Sequence, residues 1–194
     1  APALGAATAT AAPARSVADI IAADAEDESL RKYKESLLGS AAKGDLGDVS
    51  DPRRVVITEF RVMFEPGEGH DDMVFNTDTA EGISALNGQG LVMKEGCKYK
   101  FRISFRVQHE IVAGLTFHNI VKRAVFSNTD EIVLGSYPPS STPHVFEFPK
   151  WDYIDAPSGM MFRGKYTAKN QFFDKDGVNH VEYDYPLQIK KTWE

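Results

Sequence analysis

Cysteine is almost absent from this chain of 194 residues: Cys97 is alone, so no intrachain disulfide can form. Asn-x-Ser/Thr acceptor sites are missing altogether. Both absences fit a reducing cytosol, so the expected location is cytoplasmic, and both disfavour an adhesion-type immunoglobulin domain. No apolar run approaches the roughly 20 residues that span a bilayer, so no stable membrane insertion is expected. The opening Ala1–Ala14 lacks a basic start and a leucine-rich stretch, and does not read as a secretory signal. Positive charge is also in deficit. Lys and Arg number 22 against 28 Asp and Glu, a net charge of −6. Nucleic acid and anionic membrane both demand a strongly basic surface, which argues against either as the main partner.

Enzyme signatures are missing too. There is no P-loop, no Gly-x-Gly-x-x-Gly and no Gly-x-Ser-x-Gly. His70, His109, His118, His144 and His180 are scattered without ligand spacing, and no metal or cofactor is expected. Cys97 alternates into an apolar face, as an inert core thiol does. Asp174 and Asp176 look like paired carboxylates but belong to a turn. The chain does not read as an enzyme.

Two regions are present. Residues 1–52 form a polar, alanine-rich arm carrying 9 acids and 5 bases. Residues 1–15 are low-complexity and read as disordered. Helices are expected near 16–23, with Ser16 as N-cap, and near 29–38. In the second, Leu30, Tyr33, Leu37 and Leu38 fall at i, i+3, i+7 and i+8 and make one apolar stripe. Asp27 or Ser29 can cap it, and Gly39 stops it. Helices this short are marginal alone, so the arm is expected to be mobile until it docks, with its apolar partner on another molecule. Residues 41–52 read as a linker.

Residues 53–194 change to a period of two. Cys97, Tyr99, Phe101, Ile103, Phe105 and Val107 alternate with polar residues in the cleanest strand pattern of the chain. Val56–Phe64, a stretch carrying Met160, Phe162, Tyr166, Ala168 and Phe172, and the run Val181–Trp193 behave alike. Further strands are expected near 72–76, 90–93, 114–126, 130–136 and 144–148. Turn signals between them predict an all-β class: an antiparallel β-sandwich preceded by the flexible arm. Pro186 should lie at an edge or a bulge.

Several of these segments, in order, resemble the Rho GDP-dissociation inhibitor family. The match begins at Asp27–Gly39, with its Asp-Glu-Ser-Leu-Arg-Lys-Tyr-Lys core. It resumes at Val92-Met93-Lys94-Glu95-Gly96, Ile103–Val107, Glu110–Gly114 and Gly135-Ser136-Tyr137. Ala156-Pro157-Ser158-Gly159-Met160, Arg163-Gly164-Lys165-Tyr166 and Ile189-Lys190-Lys191-Thr192-Trp193 complete it. The resemblance implies a heterodimer with a prenylated Rho- or Rac-type small GTPase. It implies an immunoglobulin-like antiparallel β-sandwich that buries the geranylgeranyl lipid and extracts the GTPase from membranes. It implies that the arm folds against the switch regions and slows GDP release.

By the same resemblance the lipid pocket falls on Val62, Leu91, Tyr99, Ile111, Leu115, Ala168, Tyr185 and Leu187. The switch contacts fall on Asp27, Ser29, Leu30, Tyr33, Leu37 and Leu38. A third group, Asp152, Asp155, Asp174, Asp176, Glu182 and Asp184, is an expected acidic rim for the basic stretch before a prenylated cysteine, where opposite charge speeds encounter. The competing reading is a general carrier of prenylated proteins with no effect on nucleotide exchange; the helix at 30–38 discriminates, because a pure lipid carrier does not need it.

Overall fold

The computed structural model describes residues 16–23 and 27–193; the low-complexity stretch 1–15 lies outside the described residues. Helices α1 (Val17–Ala22) and α2 (Glu28–Leu38) come first. Then follow β1 (Val55–Phe64), β2 (Met73–Asn76), α3 (Ala80–Gln89), β3 (Leu91–Lys94), β4 (Lys98–Val107) and β5 (Val112–Arg123). The chain continues through β6 (Phe126–Tyr137), β7 (His144–Phe148), β8 (Ile154–Asp155), β9 (Gly164–Phe173) and β10 (Asn179–Lys190). Among the described residues no helix is long and apolar enough to cross a membrane.

The strands form a two-sheet sandwich. One sheet runs β2-β1-β4-β7, with β8 also paired to β4, and the other runs β3-β10-β9-β5-β6. The period-two pattern dictates this arrangement: inward residues of both sheets bury an aromatic core of Phe60, Phe105, Phe117 and Phe172. Phe117 stacks on Phe172 at 5.1 Å, and Phe60 on Phe101 at 5.5 Å.

Four details depart from the sequence expectations. The sandwich is not purely antiparallel, because β3 pairs parallel with β10. The cause is α3, which carries the chain from β2 in one sheet to the edge of the other, so that β3 arrives in the direction of β10. The sequence pattern did not reveal α3: its apolar spacing is weak and it contains Gly82 and Gly88. Gly82 is needed there, since a Cβ would stand 1.8 Å from the Asn76 carbonyl oxygen. The expected single strand over 114–126 is cut by a turn at Ala124-Val125. Met160 and Phe162 sit in a loop, not a strand. Pro186 lies one residue before β3 begins pairing at Leu187, where β10 is still an edge.

The arm's described part is built as its caps require. Ser16 accepts from the Asp19 N–H, and Asp27 accepts from the N–H groups of Ser29 and Leu30 at 2.9 and 3.0 Å. Gly39 ends α2 at φ 53. Lys34 reaches across to donate to the carbonyls of Ile20 and Ala23, which close α1. Val17, Leu38 and Ala41 form a small second core with Ile20, Ile21, Leu46 and Ile111.

The expected linker 41–52 is pinned to the sandwich. A 3₁₀ turn, Gly39–Lys43, leads into Asp45, which accepts from the Ser141 N–H and Oγ at 3.0 Å. The Asp48 N–H donates to Gln108, and the His109 N–H donates to the Leu46 carbonyl. The backbone N–H groups of Ser141 and Gly47 hold the Asp45 carboxyl down at about 2, from an ordinary 3.8.

Because that folded value is depressed, the clasp is complete above the ordinary aspartate range and is lost as pH falls toward 2. Asp45→Ala should speed amide exchange of Gly47 and His109 at neutral pH by about tenfold, the equivalent of one lost hydrogen bond. Protection in β9 and β10 should not change. Unaltered exchange at 47 and 109 would contradict the clasp.

Candidate functional site

Toward one end the sheets diverge around a cavity of about 760 Å³, within the roughly 300–1,000 Å³ of sites that hold small organic ligands. Period-two alternation supplies its walls. Tyr185, Leu187 and Ile189 enter from β10, Val121 and Asn119 from β5, and Leu91 and Met93 from β3. Tyr99 and Phe101 of β4 close the opposite side. Arg123, Phe126, Met161 and Phe162 surround the mouth.

The inner end is polar. Asn119 Nδ2 donates to Asn170 Oδ1 at 2.8 Å and to the Tyr185 hydroxyl at 3.1 Å, and Asn170 Nδ2 donates to the Tyr183 hydroxyl at 3.3 Å. All four residues are buried. Burial pushes both Tyr183 and Tyr185 well above the ordinary phenol range, and pushes Tyr99 up to about 12. The three phenols are neutral at any physiological pH. The cavity is therefore a mainly apolar channel that meets a hydrogen-bonded polar cluster at one end and Arg123, Asn128 and Asp130 elsewhere in its lining.

Of the residues expected to line a lipid pocket, Leu91, Tyr99, Tyr185 and Leu187 line this cavity. Val62, Leu115 and Ala168 do not: each is completely enclosed in the packed core. Ile111 is elsewhere. It precedes β5 at the far end of the sheet and packs against the arm, beside a smaller hollow of about 270 Å³ formed with Ile20, Leu37, Leu38 and Tyr137. Alternation alone could not separate a packed inward position from a lining one. It also passed over Val121, Met93 and Ile189, which obey the same period and do line the cavity.

The expected acidic rim is not one cluster. Asp155 pairs with Lys98 close to the mouth-side loop, and Asp152 is exposed on the loop before it. Glu182 and Asp184 lie on the outer face of β10, both within 4 Å of Lys169. Asp174 and Asp176 belong to the β9–β10 hairpin, at the other end of the strands from the mouth. Asp174 is a structural clasp. Its carboxylate takes the N–H groups of Asp176 and Val178 and lies 2.9 Å from His180 Nε2. Burial works against its charge, yet those hydrogen bonds and His180 hold the carboxyl below the ordinary range.

The arm's stripe is divided. Leu38 is 4% exposed and anchors α2 to the sandwich, whereas Tyr33 is 61% and Leu37 59% exposed. Asp27, Ser29 and Leu30 lie on the exposed N-terminal turn. α2 thus offers Leu30, Tyr33 and Leu37 outward, with Asp27 already occupied as its cap. Among the described residues no group of three or more His, Cys, Asp or Glu side chains is placed to hold a metal.

Comparisons with known proteins agree on one relationship. The profile of the family described as "RHO protein GDP dissociation inhibitor" matches residues 5–192. A protein of Dictyostelium discoideum is 40% identical over 171 residues, covering 88% of this chain and 84% of its own length. The Rho GDP-dissociation inhibitor of Schizosaccharomyces pombe is 35% identical over 180 residues, covering 92% of this chain and 84% of its own. The human Rho GDP-dissociation inhibitor 1 is 36% identical over 183 residues, covering 92% and 83%.

The distinction between packed and lining positions has a thermodynamic signature. Leu115→Ala, in the closed core, should cost about 3–5 kcal/mol in urea unfolding. Leu187→Ala, on the cavity wall, removes a side chain with fewer packed neighbours and should cost about half as much or less. Equal costs would mean that the sheets close over this cavity in solution.

Proposed function

The chain belongs to the Rho GDP-dissociation inhibitor family, and from that premise we propose a two-site mechanism: the cavity between the sheets takes the geranylgeranyl chain of a Rho- or Rac-type GTPase, while the outward face of α2 meets the GTPase switch region and slows GDP release. The observation that carries the reading is the cavity. Burying a chain of roughly 20 carbons is worth on the order of 10 kcal/mol at about 0.8 kcal/mol per CH₂. A cavity of about 760 Å³ walled largely by Leu, Ile, Val, Met and aromatic side chains offers a hydrocarbon a mostly apolar environment, with Arg123, Asn128 and Asp130 as its charged and polar exceptions. The Asn119–Asn170–Tyr185 cluster is where a hydrocarbon must stop, because displacing those hydrogen bonds would leave buried polar groups unpaired.

The second contact rests on Leu30, Tyr33 and Leu37. Three apolar side chains kept in water on a helix that is otherwise anchored by Leu38 read as one side of an interface. This stripe favours the inhibitor over a lipid carrier that leaves nucleotide exchange untouched. The arm packs beside the start of β5 and the mouth lies beyond its end, about 35 Å away at the rise of a β-strand. Two such sites on one partner act as a bivalent pair, each raising the effective concentration for the other. The role is regulatory rather than catalytic. Burial pushes the one thiol, Cys97, up to about 11, where it is no nucleophile.

The two sites should separate by mutation. Val121→Trp should fill the cavity and lower the affinity for a geranylgeranylated peptide at least tenfold, a loss of about 1.4 kcal/mol or more. It should leave the circular dichroism spectrum unchanged. Leu30→Asp with Tyr33→Ala should abolish inhibition of GDP release from the prenylated GTPase but keep peptide uptake intact. Equal losses of both activities in both variants would contradict separate roles.

A further inference from the structure

Two tight turns frame the cavity mouth, and both are apolar. Only Ala124 and Val125 join β5 to β6, and Ala124 holds φ 50, a left-handed conformation that such turns usually give to Gly, Asn or Asp. Beside it, the Phe162 N–H donates to the Gly159 carbonyl at 3.0 Å, placing Met160 and Met161 at the centre of a second turn. Arg123 binds the two together. Its Nη1 donates to the Met161 carbonyl at 2.9 Å, and its guanidinium lies 5.3 Å from the Tyr166 ring.

At the tips Val125 is 93% exposed, Met160 82%, Met161 85% and Phe126 75%. Turns are where polar residues cost least, so large apolar side chains crowded at two adjacent tips mark a contact surface. The patch is continuous with the cavity, because Phe126 and Met161 also line it.

Lysines gather at this end, beside the acids Asp130, Asp152 and Asp155. The net charge is −6, yet Lys122, Lys165, Lys190 and Lys191 stand at or just beyond the strand ends around the mouth. Arg163 there is neutralised by Glu95 at 2.6 Å, and Asp130 is the acid of the lining. Convex apolar tips flanked by lysines are the combination that seats in the interfacial layer of an anionic leaflet. A protein partner would instead need a concave site shaped to both tips.

We infer that the Ala124-Val125 and Met160-Met161 turns form a lip that docks on an anionic phospholipid leaflet, so that a lipid chain slides from bilayer to cavity without crossing water. The inference rests on the lipid-binding reading of the cavity. Docking is transient, because two turn tips bury far less apolar surface than a spanning segment.

The test uses the full chain without GTPase, floated with vesicles of phosphatidylcholine alone or mixed with phosphatidylserine. Val125→Asp with Met160→Asp touches neither the cavity lining nor the arm. The wild type should float with the phosphatidylserine vesicles, and the variant should lose at least about tenfold in partition. Lys122→Ala and Lys165→Ala should each lose up to about fivefold, and added salt should weaken the wild type. Uptake of a geranylgeranylated peptide from solution should be unchanged in all of them, whereas delivery of the same peptide from phosphatidylserine vesicles should slow in the aspartate variant. Equal flotation of variant and wild type, or none for the wild type, overturns the lip while peptide uptake still stands. A wild-type dimer in sedimentation that the aspartate variant lacks also overturns it, in favour of a contact between copies. Failure of the wild type to take up the peptide removes the cavity reading, and the lip falls with it.

Discussion

Two sheets that pack at one end and stay apart at the other are the constraint on which this molecule depends. A sandwich normally closes, because every inward side chain gains dispersion contacts when it does. Here Phe60 stacked on Phe101, and Phe117 stacked on Phe172, meet edge to face through Phe101 and Phe117 and close the centre. Beyond them the Asn119–Asn170–Tyr185–Tyr183 cluster satisfies its own polar atoms. Past that cluster the walls are mainly apolar, with Arg123, Asn128 and Asp130 among them. An apolar cavity of this size lowers stability when empty and returns that loss when a hydrocarbon enters. The closed core therefore has to supply the stability of the free protein.

The ends of the second sheet divide the work. At the start of β5 the chain is clasped repeatedly: Asp45 to Ser141, Gln108 to the backbone on either side of Asp51, and Asp174 to His180 within the β9–β10 hairpin. Lys175 of that hairpin donates its N–H to the Ala113 carbonyl, next to Ile111 under the arm. The arm thus sits on the rigid end of the sandwich. The opposite end, with its turns at 124–125 and 159–162, carries the mouth. A partner reaching both ends must pair a folded surface at the arm with an extended tail at the mouth, which suits a globular domain whose lipid hangs on a flexible terminus.

Much of the fold was legible because period two is hard to mistake when one face is buried. The alternation from Cys97 to Val107 located β4, and Ser16, Asp27 and Gly39 marked helix ends by their capping chemistry. What escaped notice had weak local signals. α3 carries two glycines and a single buried residue, Leu86, so its helical period is faint. The turn at Ala124-Val125 contains no turn-forming residue, and the hydrophobic pattern runs straight through it. The parallel pairing of β3 depends on a crossover by that unseen helix. The cavity lining was legible only in part. Leu91, Tyr99, Tyr185 and Leu187 line the cavity between the sheets, whereas Val62, Leu115 and Ala168 share their alternation and fill the core. Whether an inward residue meets a neighbour or a void is a property of how far two sheets stand apart, and no single strand encodes it. The positions of Ile111 beside the arm and of the dispersed acids were illegible for a related reason: their neighbours are set by which strand ends coincide.

The most direct measurement is a set of intermolecular contacts, by NMR or crystallography, between this chain and a geranylgeranylated peptide. The account predicts isoprenoid methyl groups against Leu91, Val121 and Leu187, with the chain ending at Tyr185 and the peptide leaving between Phe126 and Met161. A lipid bound elsewhere, or sheets that remain shut with the peptide in excess, would contradict it.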